Sequence, residues 1–157
     1  MARQKKQVWK EGDVFFVPLK DKSWGVGQVI DLMMPNVIRC LFFELKFQNI
    51  PDAIDVSDLI GHEISCVAVT REQIDYGVWK VGQNLPIEIE RSSLPNEQFR
   101  RTGWVGSKIY DAALAEDFLD SFFGLLPWDD WYDPNFLDEF LLSSNKKPKN
   151  LLFKKQE

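Results

Sequence analysis

Two glycines set into a strand constrain this chain more than any other feature. Trp24-Gly25-Val26-Gly27-Gln28-Val29-Ile30 alternates apolar with small or polar residues, the period of a strand. Glycine in a strand sacrifices packing and backbone entropy, so it marks a bend, a bulge or a close backbone approach. The apolar run Val14 to Pro18 lies just upstream across Lys20-Asp21-Lys22-Ser23, a polar turn that makes the two runs a hairpin. A hairpin with glycines in one arm belongs in a small sheet that curls.

Further strands follow. After a turn at Pro35-Asn36, Val37 to Phe43 is rich in β-branched and aromatic residues and reads as a strand buried on both faces. Glu44 to His62, punctuated by Pro51, Asp52, Asp55, Asp58 and Gly61, reads as a loop with a short helix at Ala53 to Leu59. Ile64 to Thr70, Tyr76 to Gly82, Leu85 to Ile89 and Trp104 to Tyr110 have strand character, with a polar, turn-rich stretch over residues 91 to 103. Asp111 is placed to cap a helix in which Leu114, Phe118, Leu119, Phe122, Leu125 and Leu126 recur at helical spacing. Pro127 stops it, and Pro134 to Leu142 is a second short amphipathic helix. The expected fold is mostly β: a strongly bent antiparallel sheet or partial SH3-like barrel, with one or two C-terminal α-helices packed on it. Residues 1–10 form a basic N-terminal arm, 11–142 the single β-rich domain, and 143–157 a Lys-rich, mobile tail.

Charge narrows the function. The net charge of −5 makes nucleic acid an unfavoured partner, because phosphate contacts need clustered cations. The distribution is polar: Arg3, Lys5, Lys6 and Lys10 sit in the first ten residues, whereas residues 111–140 hold nine acids and no Lys or Arg. The basic start has no apolar core of a signal peptide behind it, and no run approaches the ~18 apolar residues of a membrane span. The expected location is the cytoplasm, with no membrane contact. Cys40 and Cys66 lie in the apolar stretches IRCLFF and ISCVAV without metal-site or redox spacing, so both read as reduced and buried.

Little here points to catalysis. His62 is the one histidine, and beside Gly61 and Glu63 it reads as a surface residue. No nucleotide, zincin or nucleophile-elbow motif occurs, and Gly25-Val26-Gly27 lacks the third glycine and following helix of a dinucleotide fingerprint. The adjacent Asp129 and Asp130, flanked by Trp128 and Trp131, are a weak candidate for a carboxylate-dependent hydrolase, since neighbours on one segment rarely face each other across a substrate. Cys40 as a nucleophile needs an electropositive, partly exposed setting that its apolar neighbours do not provide. No catalytic residue, cofactor or metal is therefore expected.

The positive signal is the interleaving of acids with aromatics over residues 111–140. Aromatics anchor interfaces and acids steer a basic partner. Most of the phenylalanines read as the buried faces of the two helices. Trp128, Trp131 and Tyr132, in the short linker between them, are harder to place in a core. The expected partner surface is Trp128, Asp129, Asp130, Trp131, Tyr132 and Asp133.

The segment Glu11-Gly12-Asp13-Val14-Phe15-Phe16-Val17-Pro18-Leu19, with Trp24 to Ile30, resembles the opening of the immunity protein 26 family of bacterial polymorphic toxin systems. Gly77-Val78-Trp79-Lys80-Val81-Gly82, with Pro86 downstream, and the Tyr110-Asp111 pair are similar to later parts of that pattern. The likeness spans about residues 11 to 111. It implies a cytoplasmic antidote that neutralises a cognate bacterial toxin by direct protein–protein binding, with no catalytic residues. The alternative from another class is an SH3-like adaptor or reader binding a peptide or nucleic acid.

Overall fold

The computed structural model describes residues 5–154; Arg3 of the basic arm and the last three residues of the Lys-rich tail lie outside the described residues. One six-stranded sheet runs in the order β5-β1-β2-β3-β4-β6. The strands are β1 Asp13–Pro18, β2 Trp24–Met34, β3 Val37–Phe47, β4 Glu63–Thr70, β5 Lys80–Asn84 and β6 Ile109–Tyr110. Among the described residues two α-helices accompany them, a single turn α1 at Glu72–Asp75 and α2 at Ala112–Phe122. The expected bent, mostly-β architecture forms. The sheet is open at β5 and β6 and is mixed, because β6 joins β4 in parallel while every other pair is antiparallel.

Its curvature follows from the sequence. The long β2–β3 hairpin changes register between Gly25 and Val26, Val29 and Asp31, and Leu32 and Met34, and each bulge bends the strand that carries it. The two glycines serve close approach. A Cβ on Gly27 would lie 2.4 Å from the Phe15 ring, and one on Gly25 would lie 3.3 Å from a Leu119 methyl of α2. The Phe15 ring and α2 therefore rest directly on the β2 backbone.

Both faces of the sheet are buried. On one face Phe15, Val17, Val29, Ile38, Cys40, Phe42, Val67 and Val69 meet Trp79, α2 and the C-terminal segment. Phe15 stacks on Trp79 at 5.0 Å, and Phe42 meets both rings edge-on at 5.8 and 5.9 Å, geometries favoured by the ring quadrupole. On the other face Val14, Phe16, Val26, Leu41, Phe43 and Cys66 are covered by Ile54, Leu59 and Leu94 from the loops. The cysteines are both free and buried, on opposite faces. Burial pushes the Cys66 thiol up to about 12 and that of Cys40 well above its usual value.

A buried ion cluster fastens the 85–107 loop to the sheet. Arg39 of β3, fully buried, donates through Nε and Nη2 to Asp31 of β2 at 3.1 and 2.8 Å and through Nη2 to Glu97 at 2.9 Å. Arg100 donates to Asp31 at 3.0 Å, and the Trp104 ring lies 5.2 and 4.7 Å from the Arg39 and Arg100 guanidinium carbons. Trp104 holds a left-handed φ of 69° to do so, a costly conformation for a bulky residue. Arg100, with help from Arg39, holds the Glu97 carboxyl down at about 2.

Several local expectations are corrected. The Ala53–Leu59 helix is a 3-10 turn at Val56–Asp58. Strand β5 begins only at Lys80, after α1. Leu85 to Ile89 joins no strand: Pro86 has no N–H to give, while Leu85 N–H donates to Gly12 O at 3.0 Å and Gln28 Nε2 to Leu85 O at 2.9 Å. Of Trp104 to Tyr110 only β6 is extended, because Gly103, Trp104 and Gly106 all have positive φ. Helix α2 stops at Phe122 rather than Leu126, with Gly124 at φ 79° beyond it, a left-handed residue that closes a helix. Asp111 stands at its N-cap but supplies no side-chain cap; Thr70 Oγ1 receives the Ala112 N–H at 3.0 Å. Pro134 to Leu142 gives a 3-10 turn at Phe136–Phe140, after which β4 captures the chain through Leu142 N–H to Ile64 O at 2.8 Å.

Two outcomes follow from this packing. Gly27→Ala forces a methyl into Phe15 and should cost about 2–3 kcal/mol, whereas Gly61→Ala, with open space but a φ of 83°, should cost about 1 kcal/mol. Equal urea midpoints for the two variants would show that Phe15 yields. The folded-state pKa of Glu97 lies below its ordinary 4.5, so its stabilisation is present above that pH and lost as pH falls towards 2. Glu97→Gln should therefore be less stable at neutral pH and should flatten the acid end of the stability curve. Asp21, held at about 2 by Lys46, titrates in the same window and leaves a residual slope in the variant.

Candidate protein-binding loop

The chain leaves α2 through Gly124, turns at Pro127 and runs to the 136–140 turn. The six residues expected to bind a partner lie on this return, and the structure divides them into anchors and display. Trp128 is an anchor: it is 1% exposed, tilts against Phe118 of α2 at 5.8 Å, and donates its indole N–H to Asp138 at 2.7 Å. The expectation that it lies outside the core is thereby corrected. It bridges α2 and the 136–140 turn, and its one donor is satisfied, which is what burial of an indole requires.

Asp129 is a second anchor. It is buried, and its carboxylate receives the Lys154 N–H at 2.6 Å. Asp130 turns outward to the Lys154 ammonium at 3.0 Å, so the two neighbouring carboxylates part. The tail helps to hold the loop: Trp128 N–H donates to Leu152 O at 2.8 Å, and Pro127 pairs in parallel with Leu152. Structure thus continues along the Lys-rich tail as far as Lys154.

Display begins after these anchors. Trp131 is half-buried, its ring 4.9 Å from that of Phe136. Asp133 receives the Asn135 N–H at 2.9 Å, closing a local turn. Between them Tyr132 is wholly exposed, the barest large apolar side chain among the described residues. Beside it Asp117, Ser121, Leu126, Pro127, Asp130 and Trp131 line a cleft of about 170 Å³. Burial raises the Asp117 carboxyl above its ordinary value, with Lys20 opposing.

The acidic run itself is mostly scaffold. Asp120 is buried and receives the Lys20 N–H at 2.9 Å. Glu116 receives the Gln73 amide at 2.9 Å and the Trp79 indole at 3.0 Å, and Asp138 adds the Lys147 ammonium at 3.0 Å to the Trp128 indole. Asp111, Asp130, Asp133 and Glu139 are the members of the run that are exposed. Glu139 in turn pairs with Lys108 at 3.4 Å. Four of the nine acids, Glu116, Asp120, Asp129 and Asp138, therefore do internal work that no reading of charge along the chain could foresee.

Elsewhere, His62 is exposed at its loop edge, as expected. Among the described residues no group of three His, Cys, Asp or Glu is placed to hold a metal ion, and no helix is long and apolar enough to cross a membrane. In comparisons with known proteins, no family model, no curated protein and no solved structure matches the chain.

The division into anchors and display is testable by stability alone. Trp128→Phe removes the donor to Asp138 and should cost about 1–2 kcal/mol, while Tyr132→Ala should stay within about 0.5 kcal/mol of the parent. Denaturant unfolding of the two variants reads the difference.

Proposed function

We propose that this chain is an antidote of the immunity type, which neutralises a toxin by binding it through the loop from Asp130 to Asp133. The observation that carries the reading is the mounting of Tyr132. A bare aromatic ring stands between two exposed carboxylates, on a loop whose roots are fixed by the Trp128 indole, the Asp129 carboxylate and the Lys154 backbone. Binding entropy is saved when the loop that carries an anchor ring is already held in place. Aromatics of this kind concentrate binding energy, and flanking acids attract a basic partner.

The resemblance to the immunity protein 26 family adds support from another part of the molecule. Its segments are separate in sequence, yet the Gly12–Leu19 and Trp24–Ile30 stretches form the β1–β2 hairpin, and Trp79 of the later stretch stacks on Phe15. In this reading the motif residues build the scaffold and the C-terminal third carries the specificity. A basic toxin, such as a nuclease built to hold phosphate, suits the exposed carboxylates.

The test is co-expression with the product of the gene immediately upstream, followed by a pull-down. Rescue of growth with a stable complex is expected, and Tyr132→Ala combined with Asp133→Asn, which keeps the acceptor for the Asn135 N–H, should weaken the complex at least about tenfold without altering the unfolding curve. A harmless neighbour that does not bind, or an unchanged affinity in the double variant, would count against the proposal.

A further inference from the structure

Residues 5–10 form no strand yet are firmly pinned. The Gln7 carboxamide donates to Ile74 O and Trp79 O, both at 2.7 Å, and receives the Val81 N–H at 3.1 Å, while Gln7 N–H donates to Asp75 O at 2.6 Å. Two residues on, the Trp9 indole donates to Asp75 at 2.8 Å, and its ring lies 5.0 Å from the Arg71 guanidinium carbon. Side chains alternate along this strip. Gln7 and Trp9 are half-buried, whereas Lys6, Val8 and Lys10 face solvent, Val8 at 87% exposure.

Both sides of the strip line a cleft of about 490 Å³ together with Glu11, Leu32, Arg71 and Asp75. Leu32 is 48% exposed in a strand whose neighbouring residues are otherwise largely buried. A second cleft of about 400 Å³ shares Lys6, Arg71 and Asp75, so the groove extends past the strip. The acids lining the two clefts have partners: Asp75 holds Arg71 and Trp9, Glu11 pairs with Arg91, and Glu72 receives the Thr70 hydroxyl at 2.8 Å. The lysines in ion pairs among the described residues are Lys46, Lys108, Lys147 and Lys154; Lys6 and Lys10 are not among them. The outcome is a pinned strip centred on Val8, with an exposed ammonium outside any ion pair at each end, that of Lys6 lying 5.9 Å from the Tyr76 ring centre.

We propose that this strip docks an extended acidic peptide segment of a partner protein, with carboxylates four residues apart and an aliphatic side chain midway between them. The match is geometric and electrostatic. Four residues of extended chain span about 13 Å, so carboxylates at that spacing meet Lys6 and Lys10 while the central side chain lies on Val8 and Leu32 over Trp9. The strip is held in place before binding, which lowers the ordering cost of strand-like recognition. Charge selects the partner: Lys6 and Lys10 are in no ion pair, the carboxylates nearby, Glu11, Glu72 and Asp75, already hold Arg91, Thr70 and Arg71, and the chain's net charge of −5 disfavours a polyanionic surface such as nucleic acid or membrane. The inference is independent of the toxin-binding reading, since it concerns another surface and its test uses no toxin.

The probe is a fluorescein-labelled peptide Gly-Glu-Ser-Leu-Ser-Glu-Gly, followed by anisotropy against the full chain at low and high salt. Saturable binding that weakens with salt is expected, at least tenfold weaker for Lys6→Glu/Lys10→Glu and several-fold weaker for Val8→Ser, with none for the Lys-for-Glu peptide. All three positions are exposed, and unchanged urea midpoints verify that the variants fold. No binding of the peptide, or equal binding by the charge-reversed double variant, overturns the proposal. So does preference for single-stranded DNA or phosphatidylserine vesicles that the peptide does not displace, which would assign the strip to polyanions instead.

Discussion

The structure depends on one constraint: strand β3 is buried on both faces from Val37 to Phe43, with Arg39 its one charged residue there. Ile38, Cys40 and Phe42 point one way and Leu41 and Phe43 the other, and all five are essentially inaccessible to solvent. Such a strand cannot lie on a surface, because each face loses about 25 cal/mol for every Å² of apolar area left in water. Two covers are therefore required, and segments outside the sheet supply them. Helix α2, Trp79 and the C-terminal segment take the first face; the loops carrying Ile54, Leu59 and Leu94 take the second.

The two covers are attached by different physics. The helical cover is held by aromatic and aliphatic packing, made possible by bare backbone at Gly25 and Gly27. The loop cover has little regular structure of its own and is fastened by charge, through Arg39, Asp31, Glu97 and Arg100 under the Trp104 ring. Removing one member of such a buried cluster leaves the others uncompensated, so the cluster sets the position of the loop as well as its stability. The exposed features then fall on two separate segments: Tyr132 and its carboxylates on the return from α2, and the Lys6–Val8–Lys10 strip beside Leu32 and α1. A molecule mounted this way presents two small preorganised surfaces of opposite charge on one rigid sheet.

How far the sequence could be read differs from element to element. The β1–β2 hairpin, the doubly buried β3 and the start of α2 were legible because their periods are set by local sterics and by alternation of apolar residues. The regions around Leu85 and Trp104 were not. Their apolar residues follow a strand pattern, but their backbone groups are claimed by Gly12 and Gln28 in one case and by left-handed turns in the other. The helix expected over Pro134–Leu142 failed for a similar reason, since the edge of β4 takes the chain at Ile64. Within the candidate loop, Tyr132 was readable as an aromatic without an obvious core position, whereas Trp128, equally conspicuous, is core. The strip at residues 5–10 did carry a signal, the alternation of Gln7 and Trp9 with Lys6, Val8 and Lys10, hidden beneath its net positive charge.

By itself, then, the sequence determined a mostly-β chain with a glycine-bent hairpin, two buried thiols and a helix near the C-terminus, because each of these rests on interactions among residues close in the chain. The tertiary structure alone decided which charges are scaffold and which are surface. Asp120, Asp129 and Glu116 read identically to Asp130 and Asp133 along the chain, yet the first three are consumed by Lys20, Lys154, Gln73 and Trp79, partners 25 to 100 residues distant. Carboxylates are assigned by whatever donors folding brings within hydrogen-bond reach, and that proximity is a property of packing, with no counterpart in sequence order.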